Sequence, residues 1–600
     1  MHNYRITKRA FGVYHSYNPK YFPLKFLQII FDNISPYFNL WLSSEIVTSL
    51  YEGRAAGEIA TLVAVTLIGN LILQISGALL STTAAVQSEV LTNHEAAAFH
   101  RKTLSLDYDK IENPAIRQHR RRITESTYIN GYGVAYMKTN IESAVQCLVN
   151  LVFSLFLFVE MMSLIVSVGF HRLGIALLLA MIACVILNLI FQSRCTAKHS
   201  ACWKSIGDLM LEENRMGQGY HPSGMDNRIY RQQLYISKLY EKSNKTHLKV
   251  FSEANKKDFI YTVPVILFSK LSELCAYLII CFYCTLGAFP VGSIIKYVGY
   301  LSRVTTNVGA LFDACKQLKA NEPFLQTYLD YFDIKNDMYQ GSLAVEKRSD
   351  KKYDIEFRNV SFQYAGAKNF ALKNLNLRLR VGERLAVVGM NGSGKTTFIK
   401  LLCRLYDPTE GEILMNDFNI QKYDYQQYLA LFSVVFQDFN LLAVPLGNNV
   451  ASKETWDERK ARQLLEEVGF GERYAAMPKK LDTPLYKNFD EDGVNISGGE
   501  AQKIALARAL YKDAPFIILD EPTAALDPIA EAEIYSRFDE IVGDKTAIYI
   551  SHRLSSCRFC DRIVVFDQGQ IVQTGTHEEL LKDENGRYYE LWYAQAQYYA

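Results

Sequence analysis

Two stretches of this 600-residue sequence, residues 59–82 and 173–193, contain no charged side chain. A helix that crosses the hydrocarbon core of a bilayer needs about 20 mostly apolar residues, so each stretch is long enough to span a membrane. A backbone in that medium must satisfy its own hydrogen bonds, which favours helices packed side by side. The sequence therefore predicts a membrane domain in the first half of the chain.

Four further apolar stretches, each with one to three charges, extend this prediction to six spans. They are residues 26–49, 143–166, 260–285 and 290–314. We predict a transmembrane α-helical bundle over residues 21–335, preceded by a membrane-surface segment in residues 1–20, which mix basic and aromatic side chains. A linker over residues 336–352 then leads to a soluble α/β domain in residues 353–600.

Lysine and arginine residues indicate the side of the membrane on which each connection lies. The connections over residues 84–141 and 194–257 are each about sixty residues long and basic, whereas the other connections are short and hold only Arg54 and Arg172. Because cytoplasmic loops carry the excess of basic residues, both long connections, the α/β domain and both termini are predicted to be cytoplasmic. The helical pattern of the long connections predicts that the spans continue as long helices beyond the bilayer.

A few ionisable residues lie within or near the predicted spans. They are Asp32, Glu45, Glu160, Lys270 and Glu273. A charge at membrane depth is expensive and often marks a transport path. A side chain near a span end can reach the interface at little cost, so we interpret four of the five as interface residues. Glu160 is the candidate for a residue that faces an inner cavity.

Composition argues against two classes of function. The net charge is +2 and no basic stripe with interleaved aromatic residues is present, so we predict no nucleic-acid partner. The eleven cysteines include two C-x-x-C pairs, Cys281/Cys284 and Cys557/Cys560, but neither has further ligands beside it. A zinc site needs four ligands, so we interpret the cysteines as thiols without a metal.

Residues 389–396 read G-x-x-x-x-G-K-T, the pattern of a phosphate-binding loop. The preceding ERLAVVGM predicts a strand and the following TFIKLLCRL a helix, which is the context that this loop requires. Its backbone N–H groups point at phosphate oxygens, and the helix N-terminus adds partial positive charge. Lys395 is predicted to bind the β- and γ-phosphates of ATP, and Thr396 to ligate Mg²⁺. The other candidate ATP-binding residues of the loop are Gly389, Asn391, Gly392, Ser393, Gly394 and Thr397.

The stretch PFIILDEPTAALD predicts a buried strand that ends in two carboxylates. The carboxyl ends of parallel strands are where α/β sheets bind ligands. Asp520 is predicted to hold Mg²⁺ through its water shell. Glu521 is predicted to orient or deprotonate the water that attacks the γ-phosphate.

A second anion site is indicated by NISGGEAQKIALARAL, in which Ser497, Gly498 and Gly499 precede a predicted helix. One chain binds one γ-phosphate in this way. A second site about a hundred residues after the first is therefore explained if it serves the nucleotide of another subunit.

The order of these motifs, followed by Ala-Leu-Asp527 and His552, resembles an ATP-binding-cassette (ABC) transporter over about residues 353–590. The six predicted spans before it resemble an exporter-type half-transporter. The segments LSLDYDKIENP and MDNRIY resemble the cytoplasmic loops that touch the cassettes of this family. The fold class that this resemblance implies is a six-helix membrane bundle with long cytoplasmic extensions, followed by an α/β P-loop ATPase domain.

The resemblance also implies further site residues. Tyr364 would stack on adenine, and Gln437 would sense the γ-phosphate as one of the Mg²⁺ ligands. His552 would contact the γ-phosphate and hold the catalytic geometry, while Asp527 would act across the dimer interface. The signature reads I-S-G-G-E, where the family usually has L-S-G-G-Q, with the Ser-Gly-Gly intact.

By this resemblance the chain works as an obligatory dimer, either a homodimer or a heterodimer with a second half-transporter. ATP binding and hydrolysis would drive export of a hydrophobic or amphipathic substrate (a drug-like compound, a peptide or a lipid) by alternating access. The membrane would be a bacterial-type plasma membrane. An ATPase-regulated sensor or gated channel, and a lipid flippase, stay open as alternatives. The presence of Lys395, Glu521 and His552 favours a pump over a regulatory chain.

Overall fold

The computed structural model describes residues 4–128, 131–194, 225–346, 348, 353–487, 490–521, 542–543, 545–551 and 554–596. By its internal contacts the chain divides into two units. The helical unit comprises Met1–Leu106 and Pro114–Lys335, and the α/β unit comprises Asp107–Asn113 and Asn336–Ala600.

Long helices make up the N-terminal half of the chain. In chain order the helices found there are α1 (Arg5–Tyr17), α2 (Tyr21–Tyr51), α3 (Ala56–Leu104), α4 (Tyr108–Glu112), α5 (Pro114–Tyr128), α6 (Val134–Val168), α7 (Arg172–Arg194), α8 (Met225–Ile229), α9 (Gln232–Thr285), α10 (Ser293–Ala320) and α11 (Glu322–Asp333). All of them belong to the helical unit except α4, which the contacts assign to the α/β unit.

Five of the six predicted spans lie within one helix each, in turn α2, α3, α6, α7 and α9, and the sixth, 290–314, begins three residues before α10. Among the described residues, α3, α6, α7 and α9 are long and apolar enough to cross a membrane. Helices α2 and α10 have 31 and 28 residues but contain no comparably apolar stretch of 18 residues, so the count of six spans stays a prediction. Helix α3 has 49 residues, which makes it longer than a bilayer core, because a residue rises about 1.5 Å and the core is about 30 Å thick. The prediction of spans that continue as long helices is thus confirmed for α3.

The first helix packs on the last helix of this unit. Arg9 Nη2 donates to Asp333 Oδ1 over 2.6 Å, and the Tyr17 hydroxyl lies 3.4 Å from that of Tyr328. One face of α1 is therefore buried on α11, and the position of residues 1–20 at a membrane surface stays a prediction.

A charge pair joins α6 to α10 inside the helical unit. Lys296 is 7% exposed, and its Nζ donates to Glu160 Oε1 over 2.8 Å. The Tyr297 hydroxyl donates to the same oxygen over 3.3 Å. A buried charge needs such a partner, because its desolvation is otherwise uncompensated. The pairing accounts for the carboxylate that the span analysis singled out.

The α/β unit contains two sheets. Its strands are β1 (Ile355–Phe362), β2 (Leu372–Leu379), β3 (Arg384–Gly389), β4 (Glu410–Met415), β5 (Phe418–Asn419), β6 (Phe432–Val435), β7 (Phe516–Asp520), β8 (Thr546–Ile550), β9 (Arg562–Asp567) and β10 (Gln570–Gly575). The remaining helices among its described residues are α12 (Lys395–Leu402), α13 (Tyr425–Leu429), α14 (Leu446–Ala451), α15 (Glu458–Glu467), α16 (Gly471–Ala476), α17 (Gly498–Lys512), α18 (His577–Leu581) and α19 (Arg587–Ala596).

The larger sheet has the strand order β10-β9-β3-β8-β7-β6, in which all neighbours are parallel except β10 and β9. Its strands β7 and β8 are mostly apolar, apart from Asp520 and Thr546, and every residue in them is buried. Parallel strands covered on both faces need such continuous apolar sequence. The smaller sheet, of order β2-β1-β4-β5, is antiparallel.

Candidate functional site

The carboxyl ends of four neighbouring strands meet at one edge of the larger sheet. The phosphate-binding loop follows β3, Asp520 ends β7, and Gln437 lies in an exposed turn just after β6. His552 comes two residues after β8 and lies outside the described residues, as does Asp527. This edge is where parallel α/β sheets bind ligands, so the topology brings most of the predicted site residues together.

The loop between β3 and α12 requires glycine at two positions. Gly389 has φ 151° and Gly394 has φ 106°, both in the region that other residues avoid. A Cβ atom on Gly389 would collide with the Phe566 carbonyl, and one on Gly394 would lie 2.6 Å from Leu372 Cδ2. The loop is therefore held against β9 and β2 in a shape that turns its backbone toward the sheet edge, where Asn391 and Gly392 are exposed.

Two polar side chains of this loop are buried. Lys395 is 6% exposed, and its Nζ donates to the carbonyl oxygens of Gly389 and Met390 over 2.9 and 3.0 Å. Burial lowers the pKa of Lys395, while Glu521 and Asp520 act in the opposite direction. Ser393 Oγ is buried and has no hydrogen-bond partner within the residues that the structure describes. An unsatisfied buried donor of this kind fits a loop that binds phosphate oxygens.

The two carboxylates at the end of β7 lie close together. Asp520 is 2% exposed, and burial together with the neighbouring Glu521 carboxylate raises its pKa to about 6. A hydrogen bond with the Thr396 side chain acts against this rise. Carboxylate and hydroxyl oxygens are the ligands that Mg²⁺ prefers, so this donor set fits the predicted ion.

The backbone of Glu521 is fixed in an unusual conformation. Its φ is 50°, a value that residues other than glycine seldom adopt. Its N–H donates to the Ile550 carbonyl over 3.0 Å, and its own carbonyl accepts from Gln502 Nε2 over 3.1 Å. Backbone strain held by surrounding bonds is common at functional sites, and here two hydrogen bonds hold the strained backbone of Glu521.

Tyr364 follows β1 and is joined to the helix of the phosphate loop. Its hydroxyl lies 3.1 Å from Thr397 Oγ1. Its ring meets that of Tyr406 edge-on, with centroids 5.4 Å apart. The ring is half-buried, so one part of it stays open to a stacking partner.

Helix α4 reaches this aromatic group through Lys400, which lies on α12. Lys400 Nζ is 5.4 Å from the ring centre of Tyr108 and 5.9 Å from those of Tyr364 and Tyr406. It also lies 3.5 Å from Glu112 Oε2. Residues 107–113 of the segment LSLDYDKIENP thus lie within the α/β unit, beside the residue predicted to stack on adenine, and their role as a cassette-contacting loop stays a prediction.

Ser497 is the N-cap of α17. Its side chain accepts from the Glu500 backbone over 3.3 Å, and the Glu500 carboxylate accepts from the Ser497 N–H over 2.8 Å. Ser497 and Gly498 are exposed, and Gly499 is half-buried. The helix therefore presents its N-terminal N–H groups to the surface of the unit.

Sequence reasoning missed three residues near these motifs, namely Lys400, Arg473 and Gln502. Gln502 lies on α17 and holds Glu521, and Arg473 pairs with Glu500. These contacts join segments that are far apart in the chain, so no local pattern indicates them. Glu500, which stands where the family usually has glutamine, was the one sequence feature that could have pointed to a basic partner such as Arg473.

Comparison with known proteins identifies relatives of this chain. Residues 372–524 match the ABC transporter family. The subtilin transport ATP-binding protein SpaT of Bacillus subtilis is 38% identical over 299 residues, or 49% of this chain and 48% of that protein. The ATP-dependent lipid A-core flippase of Escherichia coli strain K12 is 35% identical over 317 residues, or 52% and 54%. The chain thus spans about half the length of these relatives.

A solved structure matches nearly the whole chain. It is that of a bacterial Atm1-family ABC exporter with ATP bound, with a TM-score of 0.71 and 21% identity, covering 95% of this chain and 97% of that one. The predicted fold class, helices followed by an α/β nucleotide-binding domain, is confirmed by this likeness. With its apolar helices and such relatives, the chain is a multi-pass membrane protein.

Proposed function

The chain carries an ABC transporter ATP-binding domain within the fold of an ABC exporter, and from this premise we propose that it exports a substrate through the membrane, driven by ATP. The observation that carries the proposal is the sheet edge where buried Lys395 and Ser393 lie beside Asp520 and Glu521. A buried hydroxyl without a hydrogen-bond partner among the described residues and a buried lysine, close to two neighbouring carboxylates, have no purpose in a purely structural edge, whereas a nucleotide with its metal ion would bind to all of them.

Each loop residue has a role in this proposal. Lys395 binds the β- and γ-phosphates, and the loop from Gly389 to Thr397 contributes its backbone N–H groups and Ser393 Oγ. Tyr364 stacks on the adenine, since its ring is half-buried and fixed by Thr397. These contacts orient the γ-phosphate toward the end of β7.

We assign the hydrolysis of ATP to the carboxylates at the end of β7. Thr396, Asp520 and Gln437 are the proposed residues that hold Mg²⁺, which when bound would neutralise charge on the phosphate oxygens. Glu521 accepts a proton from, or orients, the attacking water. His552 is proposed to contact the γ-phosphate, by resemblance alone.

A dimer completes the site. Ser497, Gly498 and Gly499 present an exposed helix N-terminus that can bind the nucleotide held by the loop of a second chain. ATP then favours the closed dimer, because it binds that state more tightly, and hydrolysis reverses the preference. The partner is a second copy of this chain or another half-transporter.

The substrate is proposed to be hydrophobic or amphipathic. The relatives' names mention subtilin in one case and lipid A-core in the other, and a drug-like compound, a peptide or a lipid would suit the apolar helices. We place the protein in a bacterial-type plasma membrane with both termini cytoplasmic, because its basic residues cluster in the long connections.

ATPase activity of the purified full chain in lipid nanodiscs tests the proposal. Glu521→Gln keeps the size of the side chain and removes its basicity, and we expect the rate to fall by at least about a hundredfold. Glu454→Gln, on an exposed loop of the same unit, is the matched control and should leave the rate unchanged. An ATPase rate that is equally high in Glu521→Gln would contradict the proposed site.

A further inference from the structure

The signature of this chain places a carboxylate beside a proposed phosphate site. Glu500 closes a capping box with Ser497 at the N-terminus of α17. Its Oε2 atom accepts from the Ser497 N–H over 2.8 Å, so the negative charge is held within the first turn of the helix.

This carboxylate has opposite effects on the helix and on a phosphate. A negative side chain in the first turn stabilises a helix, because it offsets the partial positive charge of the helix N-terminus. The same charge repels an anion that approaches the exposed N–H groups, since like charges a few ångströms apart oppose each other. With Glu500 alone, the N-terminus of α17 would be a poor site for a phosphate.

A cation from another helix lies on this carboxylate. Arg473 belongs to α16, and its Nε atom lies 2.8 Å from Glu500 Oε1 in an ionic contact that is not an aligned hydrogen bond. Arg473 Nη2 also donates to the Asn495 carbonyl over 3.4 Å, two residues before the signature serine. The Arg473 guanidinium thus contacts the chain on both sides of Ser497, at Asn495 and at Glu500.

We propose that Arg473 is a positioning residue of the ATP site, which neutralises Glu500 so that the N-terminus of α17 can bind the nucleotide phosphate presented by the partner chain. The inference rests on the proposed function, because it needs the signature to meet ATP in a dimer. It assigns to α16 a charge that compensates for the glutamate at the position where the family usually has a neutral glutamine.

The alternative is that this contact is an ordinary surface ion pair. Arg473 and Glu500 have side chains that are 40% and 27% exposed, and exposed pairs contribute little to stability. The same unit offers a matched example, Arg462 and Glu466, which lie 3.4 Å apart on α15. The two interpretations predict different effects of Arg473→Gln on KM for MgATP, and the same effect on the unfolding temperature.

The test is a series of charge-neutralising and charge-retaining variants of the full chain, purified in lipid nanodiscs. The variants are Arg473→Gln, Arg473→Lys, Glu500→Gln, the double variant Arg473→Gln/Glu500→Gln, Arg462→Gln as control, and Glu521→Gln. For each, KM for MgATP, kcat and the unfolding temperature are measured at low and high salt.

We expect Arg473→Gln to raise KM about tenfold at low salt, because Glu500 is then uncompensated, with a smaller rise at high salt. Arg473→Lys retains the charge and should stay within about threefold of wild type. The double variant should return to within about twofold, because a neutral Gln at position 500 needs no counter-charge. Arg462→Gln should leave KM unchanged, with an unfolding temperature equal to that of Arg473→Gln.

Two results overturn the inference. One is an unchanged KM in Arg473→Gln, and the other is a raised KM that persists in the double variant, since either makes Glu500 irrelevant to ATP binding. These results are distinguishable from a failure of the proposed function. If Glu521→Gln abolishes hydrolysis the ATP site stands and only the role of Arg473 is lost, whereas hydrolysis that survives Glu521→Gln contradicts the site itself.

Discussion

Lys296 in the helical unit and Lys395 in the α/β unit are both buried, yet their charges are balanced in different ways. Lys296 forms an ion pair with Glu160 across two helices. Lys395 donates only to two carbonyl oxygens of its own loop and makes no ion pair within the described part of the chain. The first charge is paired inside the protein, and for the second we propose a phosphate of the bound nucleotide as the partner. The comparison teaches that burial alone does not mark a site, whereas a buried lysine without an ion pair is a candidate for one.

The strongest test of this comparison is to remove the charge of Lys395 and of Lys296 in separate variants. Lys395→Met should lower the ATPase rate by at least about a hundredfold, because the phosphates lose their buried cation. Its unfolding temperature should be equal to or higher than that of wild type, since the folded chain no longer desolvates an unmatched charge. Hydrolysis assays and thermal unfolding of one preparation measure both. A clearly lower unfolding temperature would mean that Lys395 is structural.

The pH dependence of ATP hydrolysis tests the role of Asp520, at the end of β7. Burial and the neighbouring Glu521 carboxylate raise the pKa of Asp520 from 3.8 to about 6, so in the nucleotide-free chain a proton competes with the proposed Mg²⁺ for this carboxylate below pH 6. At subsaturating Mg²⁺, ATPase activity should therefore fall by up to about tenfold for each pH unit below 6. The free energy of unfolding of the nucleotide-free chain should instead increase as the pH falls. A carboxyl group whose pKa is raised in the folded state stabilises the fold fully below 3.8, its pKa in the unfolded chain, and this contribution is lost as the pH rises through 6. Asp520→Asn should remove this part of the pH dependence of stability, and a dependence that is equal in both chains would contradict the assignment.

Lys296→Met should affect stability rather than hydrolysis. It leaves Glu160 without its partner, and because that carboxylate is 41% exposed the expected loss is about 1–3 kcal/mol. The double variant Lys296→Met/Glu160→Gln should recover part of this loss, since no unpaired charge remains. Thermal unfolding in nanodiscs checks both variants. Equal unfolding temperatures for wild type and Lys296→Met would show that the pair does not hold α6 to α10.

The smallest effect is expected at Lys400, whose charge is shared between three tyrosine rings and Glu112. Lys400→Met should weaken the packing of α4 by about 1 kcal/mol and lower kcat a few-fold, with little change in overall stability. Hydrogen exchange of residues 107–113 in the full chain is the direct measurement. Lys373→Met, at an exposed position of the same unit, is the control. Unchanged exchange would mean that Lys400 does not fix α4.

Local sequence patterns predicted much of this molecule, because they reflect local physics. The phosphate-binding loop lies between a strand and a helix as predicted, and the run Phe516–Leu519 forms a buried strand that ends at Asp520. Charge-free runs identified α3 and α7 for the same reason, since length and hydropathy are sufficient. The roles proposed for Lys395, Asp520 and Glu521 come from motifs that include their own structural context, and these roles stay predictions.

The remaining features depend on contacts that no local pattern records. Lys296 pairs with Glu160, and Lys400 meets Tyr108, across more than a hundred residues of sequence in each case. The pKa of Asp520 likewise depends on burial and on a neighbour, so the sequence indicates the residue but not its protonation. Arg473 is the clearest example, because its role follows only once Glu500 is seen to be held in the first turn of α17.

The account depends most directly on the claim that each ATP site is built from two chains. Co-expression of Lys395→Met and Ser497→Arg chains with different tags, followed by purification on both tags, isolates mixed dimers in which both defects fall on one site and the other site is intact. Each variant alone should be inactive, and the mixed dimer should recover about half of the wild-type ATPase rate. A mixed dimer as inactive as the separate variants would contradict a site shared between chains.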